Sequence, residues 1–138
     1  MTDIAPPSSR LAERLVRRAL VVDDEALIRW SVAETLTALG IEVVQAGDAA
    51  GARDAITHAV VPFDVVVLDL RLPDMNDLTL LRHVRGSLPG AFVLLMTAFG
   101  TPEIMAEATA IGANAILNKP FELEQLTRLL SHRSGPNP

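Results

Sequence analysis

The chain alternates between short unbroken apolar runs and longer stretches whose apolar residues recur with helical period. Residues 65–68 (VVVL) carry no polar interruption, which predicts a strand buried on both faces. Such a strand belongs in the middle of a parallel sheet covered by helices on either side. Residues 19–22, 41–45, 91–96 and 113–117 predict four further strands. In the first helical stretch Ile28, Val32, Leu36 and Leu39 fall on one face, and Gly40 stands where a C-terminal cap belongs. Asp48 is an N-cap for a second helix through about residue 58, with Ala49, Ala52 and Ile56 facing inward. A third helix covers about residues 78–85 and is stopped by Gly86 and Pro89. The fourth opens with Thr101, Pro102 and Glu103 as cap, first-turn proline and acidic first turn, and ends at Gly112. A fifth runs from residue 122 to about 133.

Five β-α units in sequence, joined by right-handed crossovers, place the chain in the α/β class. The expected architecture is a five-stranded parallel, doubly wound sheet in a flavodoxin-like three-layer (βα)5 sandwich. Its expected strand order is 2-1-3-4-5, with the switch point between the first and third strands.

At 138 residues the chain fits one domain, expected over residues 19–133. Residues 1–18, with Pro6, Pro7, Ser8, Ser9 and four arginines, read as a flexible leader, and 134–138 (SGPNP) as a disordered tail. A formal charge of -5 argues against direct nucleic-acid contact. No apolar run approaches the roughly 18 residues of a membrane span, and no signal peptide is evident, so a cytoplasmic location is expected. The absence of cysteine excludes disulfides and thiolate metal sites.

Four of the five predicted strands end in polar residues: Asp23 and Asp24, Asp69, Thr97, and Lys119. In a doubly wound sheet these meet at one edge, where ligands bind. Two carboxylates about 4 Å apart repel by about 4 kcal/mol at an effective dielectric of 20, so the cluster needs cations. Lys119 supplies one. Mg²⁺ suits the other, because it takes one or two carboxylates plus phosphate and water oxygens, whereas zinc would want cysteine or clustered histidine. Together these groups are equipment for phosphoryl transfer, with Asp69 as nucleophile, Mg²⁺ and Lys119 neutralising charge, and Thr97 donating a hydrogen bond. His58, His83 and His132 lack metal spacing, and Trp30 reads as a packing residue.

With VVDDE at 21–25, LDLRLPDM at 68–75, TAFG at 97–100 and NKPF at 118–121, residues 19–133 resemble the receiver domains of two-component response regulators. Leu27-Ile28-Arg29-Trp30 and TAFGT are further similar to receivers of sigma-54-dependent, nitrogen-regulator-type activators. The resemblance implies that Asp69 is the phospho-acceptor and that Asp23, Asp24, Asp69 and the backbone carbonyl of Arg71 hold Mg²⁺. It makes Thr97 the switch hydroxyl, Phe99 the switch aromatic, and Lys119 the phosphate-contacting lysine before a cis peptide to Pro120. It also implies a sensor histidine kinase or phosphotransfer protein as donor. The surface of the fourth helix, last strand and last helix would engage an output domain, a partner protein, or a second copy on phosphorylation. One departure is Asp77, where the family commonly has glycine; a non-glycine residue there needs either another loop conformation or a strained backbone.

The expected function is therefore a phosphorylation-activated signalling switch without external substrate turnover. An aspartate-nucleophile phosphatase could use the same groups, but such enzymes generally carry a second aspartate where this chain has Arg71. A phosphate-independent interaction module would be expected to lack part of the acidic set. Nothing after Arg133 supplies an ATPase or a helix-turn-helix, so the expectation is a stand-alone receiver or one cut from a larger regulator.

Overall fold

The computed structural model describes residues 18–75, 77–98 and 100–133, without the side chains of residues 132 and 133. Most of the leader, the tail and Phe99 lie outside the described residues. The elements are β1 (Arg18–Val22), α1 (Ala26–Ala38), β2 (Glu42–Ala46), α2 (Ala49–His58), β3 (Val65–Asp69), α3 (Thr79–Ser87), β4 (Phe92–Thr97), α4 (Pro102–Ile111), β5 (Ala115–Asn118) and α5 (Leu123–Arg133). All strand pairs are parallel and the sheet order is β2-β1-β3-β4-β5, the doubly wound order that the pattern predicts.

Burial follows the period of two that a pleated strand imposes. Leu20, Val22, Val66, Leu68, Val93 and Leu95 pack on one face with Ala49 and Ala52 of α2, Leu80, Leu81 and Val84 of α3, and Ala108 of α4. Ala19, Val21, Val65, Val67, Leu94 and Met96 pack on the other with Val32 and Leu36 of α1 and Leu126 and Leu130 of α5. Every residue of β3 is buried, as expected of the middle strand. β2, at the edge, buries only Ala46 fully.

Local chemistry sets the boundaries. Asp48 caps α2 by accepting from the Gly51 N–H at 2.7 Å, and Thr101 caps α4 by accepting from the Ile104 N–H at 3.2 Å. Gly40 (φ 87) and Gly112 (φ 131) take the left-handed backbone at the ends of α1 and α4. Leu39 departs from the expected inward face and is 53% exposed. The helical ladder stops at Ala38, so the turn through Gly40 carries Leu39 off the packed stripe. Leu72 and Met75 exchange backbone hydrogen bonds of 3.0 and 3.2 Å, closing the turn at Pro73-Asp74. Among the described residues no non-glycine residue has positive φ, so Asp77 is not strained. Its carboxylate instead accepts from the Thr79 N–H at 2.9 Å, which supports the start of α3. Among the described residues no helix is long and apolar enough to cross a membrane.

Candidate functional site

β1 and β3 are neighbours in register, Val22 opposite Leu68, so the residues that follow them emerge side by side. Asp23 leaves β1 fully buried, and its N–H donates to the Ala46 carbonyl at 3.1 Å. Asp24 points into solvent. Asp69 closes β3 and is 5% exposed. Asp23, Asp24 and Asp69 each offer a carboxylate oxygen, and the three lie within 4.8 Å of one another.

Lys119, just past β5, reaches across this cluster. Its Nζ donates to Asp23 Oδ2 at 2.8 Å, Glu25 Oε1 at 3.0 Å and Asp69 Oδ2 at 3.2 Å. The Lys119 N–H donates to the Thr97 carbonyl at 2.8 Å, which fixes the ends of β4 and β5 together. Thr97 is buried at the end of β4, and the Lys119–Pro120 peptide is cis. The other oxygen of Asp69 accepts from the Arg71 N–H at 3.1 Å; the other oxygen of Asp23 accepts from the Glu25 N–H at 2.8 Å. Thus Asp23, Asp24, Asp69 and Lys119 come together, with Thr97 on the adjoining strand end.

Burial dominates the electrostatics of Asp69. It pushes the carboxyl up from 3.8 to about 6, with the charge of Asp23 adding to the rise. The Arg71 N–H and Lys119 oppose the shift without cancelling it. At Lys119 burial works against the charged form, but hydrogen bonds to Asp23 and Glu25 and the charges of Asp69 and Asp23 win, so its pKa rises above the ordinary lysine value. The site keeps one firmly protonated ammonium among acids.

The donor set is hard oxygen throughout, and among the described residues no histidine joins the cluster. Three carboxylate oxygens at this spacing fit a small divalent cation of the Mg²⁺ kind.

Three contributors carry no role in the sequence reading. Glu25 holds Lys119, and its signal is only a further acid after the Asp pair. Arg29 of α1 donates through Nη1 to the Asp23 carbonyl at 2.8 Å and through Nε to Gln45 Oε1 at 3.2 Å, pinning the β1–α1 loop to β2. Asp74 accepts from the Ala49 and Ala50 N–H groups at 2.8 and 3.0 Å, tying the loop after β3 to the start of α2. No sequence spacing signals the last two.

Residues 19–131 match the family model described as response regulator receiver domain. The chain is 29% identical over 116 residues to the chemotaxis protein CheY of Thermotoga maritima, covering 83% of this chain and 95% of that protein. It spans only 50%, 25% and 30% of three other curated relatives, which are longer. Among solved structures it resembles a CheY-like receiver domain protein from Methanospirillum hungatei, with a TM-score of 0.80, 27% identity and coverage of 86% and 94%. It also resembles the receiver domain of NtrX from Brucella abortus, with a TM-score of 0.73, 33% identity and coverage of 84% and 96%. With the sheet order and the acid–lysine edge already described, these likenesses assign the chain to the response regulator receiver domain family.

Proposed function

We propose that this chain is a phosphorylation-activated switch whose acceptor is Asp69. The observation that carries the reading is a buried carboxylate at the C-terminal end of the central strand, bonded to a half-buried lysine and within reach of two further carboxylates. The Asp69 oxygen attacks the phosphorus of a phospho-histidine on a sensor kinase or phosphotransfer protein. The P–N bond breaks, its electron pair stays on the ring nitrogen, the imidazole leaves neutral with the proton already held on its other nitrogen, and Asp69 carries an acyl phosphate. Hydrolysis later returns Asp69 and inorganic phosphate, so no external substrate is turned over.

Asp23, Asp24, Asp69 and the Arg71 carbonyl would hold Mg²⁺, which when bound supplies charge neutralisation at the transferring oxygens. Lys119 supplies the chain's own positive charge there, and the Thr97 hydroxyl donates to a phosphoryl oxygen. Drawing the Thr97 hydroxyl toward the phosphoryl group, with Phe99 following as the switch aromatic, would change the surface of α4, β5 and α5, where an output domain, partner protein or second copy binds. The longer relatives accord with a receiver that commands an output domain. The cytoplasm is the compartment this chemistry suits.

Acetyl phosphate with Mg²⁺ should add one phosphoryl group to the wild-type chain by intact mass and none to Asp69→Asn. Equal incorporation in both would refute Asp69 as acceptor.

A further inference from the structure

We infer that Glu25 is a positioning residue for phosphoryl acceptance, the exchangeable third arm that holds the Lys119 ammonium at rest and yields it to the phosphoryl group. The inference rests on the reading of Asp69 as acceptor. A lysine ammonium has three N–H donors and no more. Here Asp23, Glu25 and Asp69 accept from it at 2.8, 3.0 and 3.2 Å. A phosphoryl oxygen on Asp69 gains a bond from Lys119 only if one of these is released.

Burial decides which one. The Asp23 side chain is fully buried, so its release leaves a carboxylate oxygen without water or donor. Asp69 is 6% exposed and is itself the group being esterified. The Glu25 side chain is 58% exposed, so water replaces Lys119 at its oxygen. Of the two arms that stay ionised once Asp69 is esterified, Glu25 is therefore the one given up at least cost. Its backbone N–H separately donates to Asp23 Oδ1 at 2.8 Å, so a changed side chain leaves the loop's own hydrogen bond in place.

Charge acts in the same direction. Through Lys119, Glu25 adds a fourth carboxylate beside the cluster of Asp23, Asp24 and Asp69, and its side chain is the exposed partner of that ammonium. Removing its charge frees Lys119 and reduces repulsion of an incoming phosphoryl anion. Glu25 thus sets how far the resting site resists the phosphorylated state.

The test uses the full chain at saturating Mg²⁺ with beryllofluoride as the phosphoryl mimic, followed by calorimetry. Glu25→Gln should bind the mimic about two- to fivefold more tightly than wild type, the range that an exposed ion pair contributes. Raising salt to about 1 M should bring the two affinities together, because the Debye length falls to about 3 Å. Glu25→Asp, charged but shorter, should lie between them. Independently of any mimic, the Lys119 ammonium protons should exchange faster with water in Glu25→Gln than in wild type, by NMR. Affinity in Glu25→Gln equal to or weaker than wild type, or a gap that salt does not close, overturns the inference. A wild-type chain that binds no mimic at all would overturn the acceptor reading as well, and so separates the two failures.

Discussion

Replacing Asp69 with asparagine should stabilise the metal-free protein, and the gain should depend on pH in a defined way. Asparagine keeps the shape of the side chain and removes its titration. In the folded protein the Asp69 carboxyl titrates at about 6, against an unperturbed 3.8. The folded state therefore holds this proton more tightly than the unfolded chain does, and stability falls as pH rises through that window. Each pKa unit is worth about 1.36 kcal/mol, so the ionised Asp69 costs about 3 kcal/mol once pH is well above 6. The attractions of Lys119 and the Arg71 N–H are already contained in that net shift. Below the unperturbed value both states are protonated and the cost vanishes.

Urea unfolding of wild type and Asp69→Asn, with a chelator present, isolates the effect of Asp69 and its coupling to Asp23 and Lys119, because groups remote from it titrate alike in both proteins and cancel in the difference. Linkage puts about 1 kcal/mol of the variant's advantage at about pH 4.5 and about 3 kcal/mol at about pH 7.5. A difference of the same size at both pH values would refute burial as the source of the shift. So would an Asp69→Asn protein less stable than wild type at neutral pH.

Mg²⁺ binding should weaken more in Asp24→Asn than in Asp23→Asn. Both oxygens of Asp23 already accept from Glu25 N–H and Lys119, whereas Asp24 faces solvent; calorimetry giving the reverse order would count against this division. Thr97→Ala should still accept phosphate on Asp69 but lose much of the change in amide exchange across residues 97–133 that beryllofluoride induces in wild type. A full response in that variant would mean that the coupling bypasses the hydroxyl.

Much of this protein is determined by near-neighbour chemistry, and that part is legible in the sequence. The unbroken apolar run of residues 65–68 marks the central strand because only a strand covered on both faces tolerates no polar alternation. Asp48 and Thr101 mark helix starts because their side chains satisfy N–H groups only three residues away. The gathering of Asp23, Asp69, Thr97 and Lys119 at one edge follows from parallel strands that all end on the same side. What the tertiary structure alone decided are distances between groups remote in sequence. Asp69 reaches a pKa of about 6 because packing removes water from it, and no local pattern encodes that desolvation. Glu25 is engaged because Lys119, 94 residues away, arrives within 3.0 Å. Asp74 serves the start of α2, not its own turn alone, because the loop after β3 passes over that helix. Leu39 shares the apolar spacing of α1 yet lies in solvent, since the left-handed turn at Gly40 ends the helix just before it. Periodicity states which residues prefer burial, whereas the path of the backbone decides which of them obtain it.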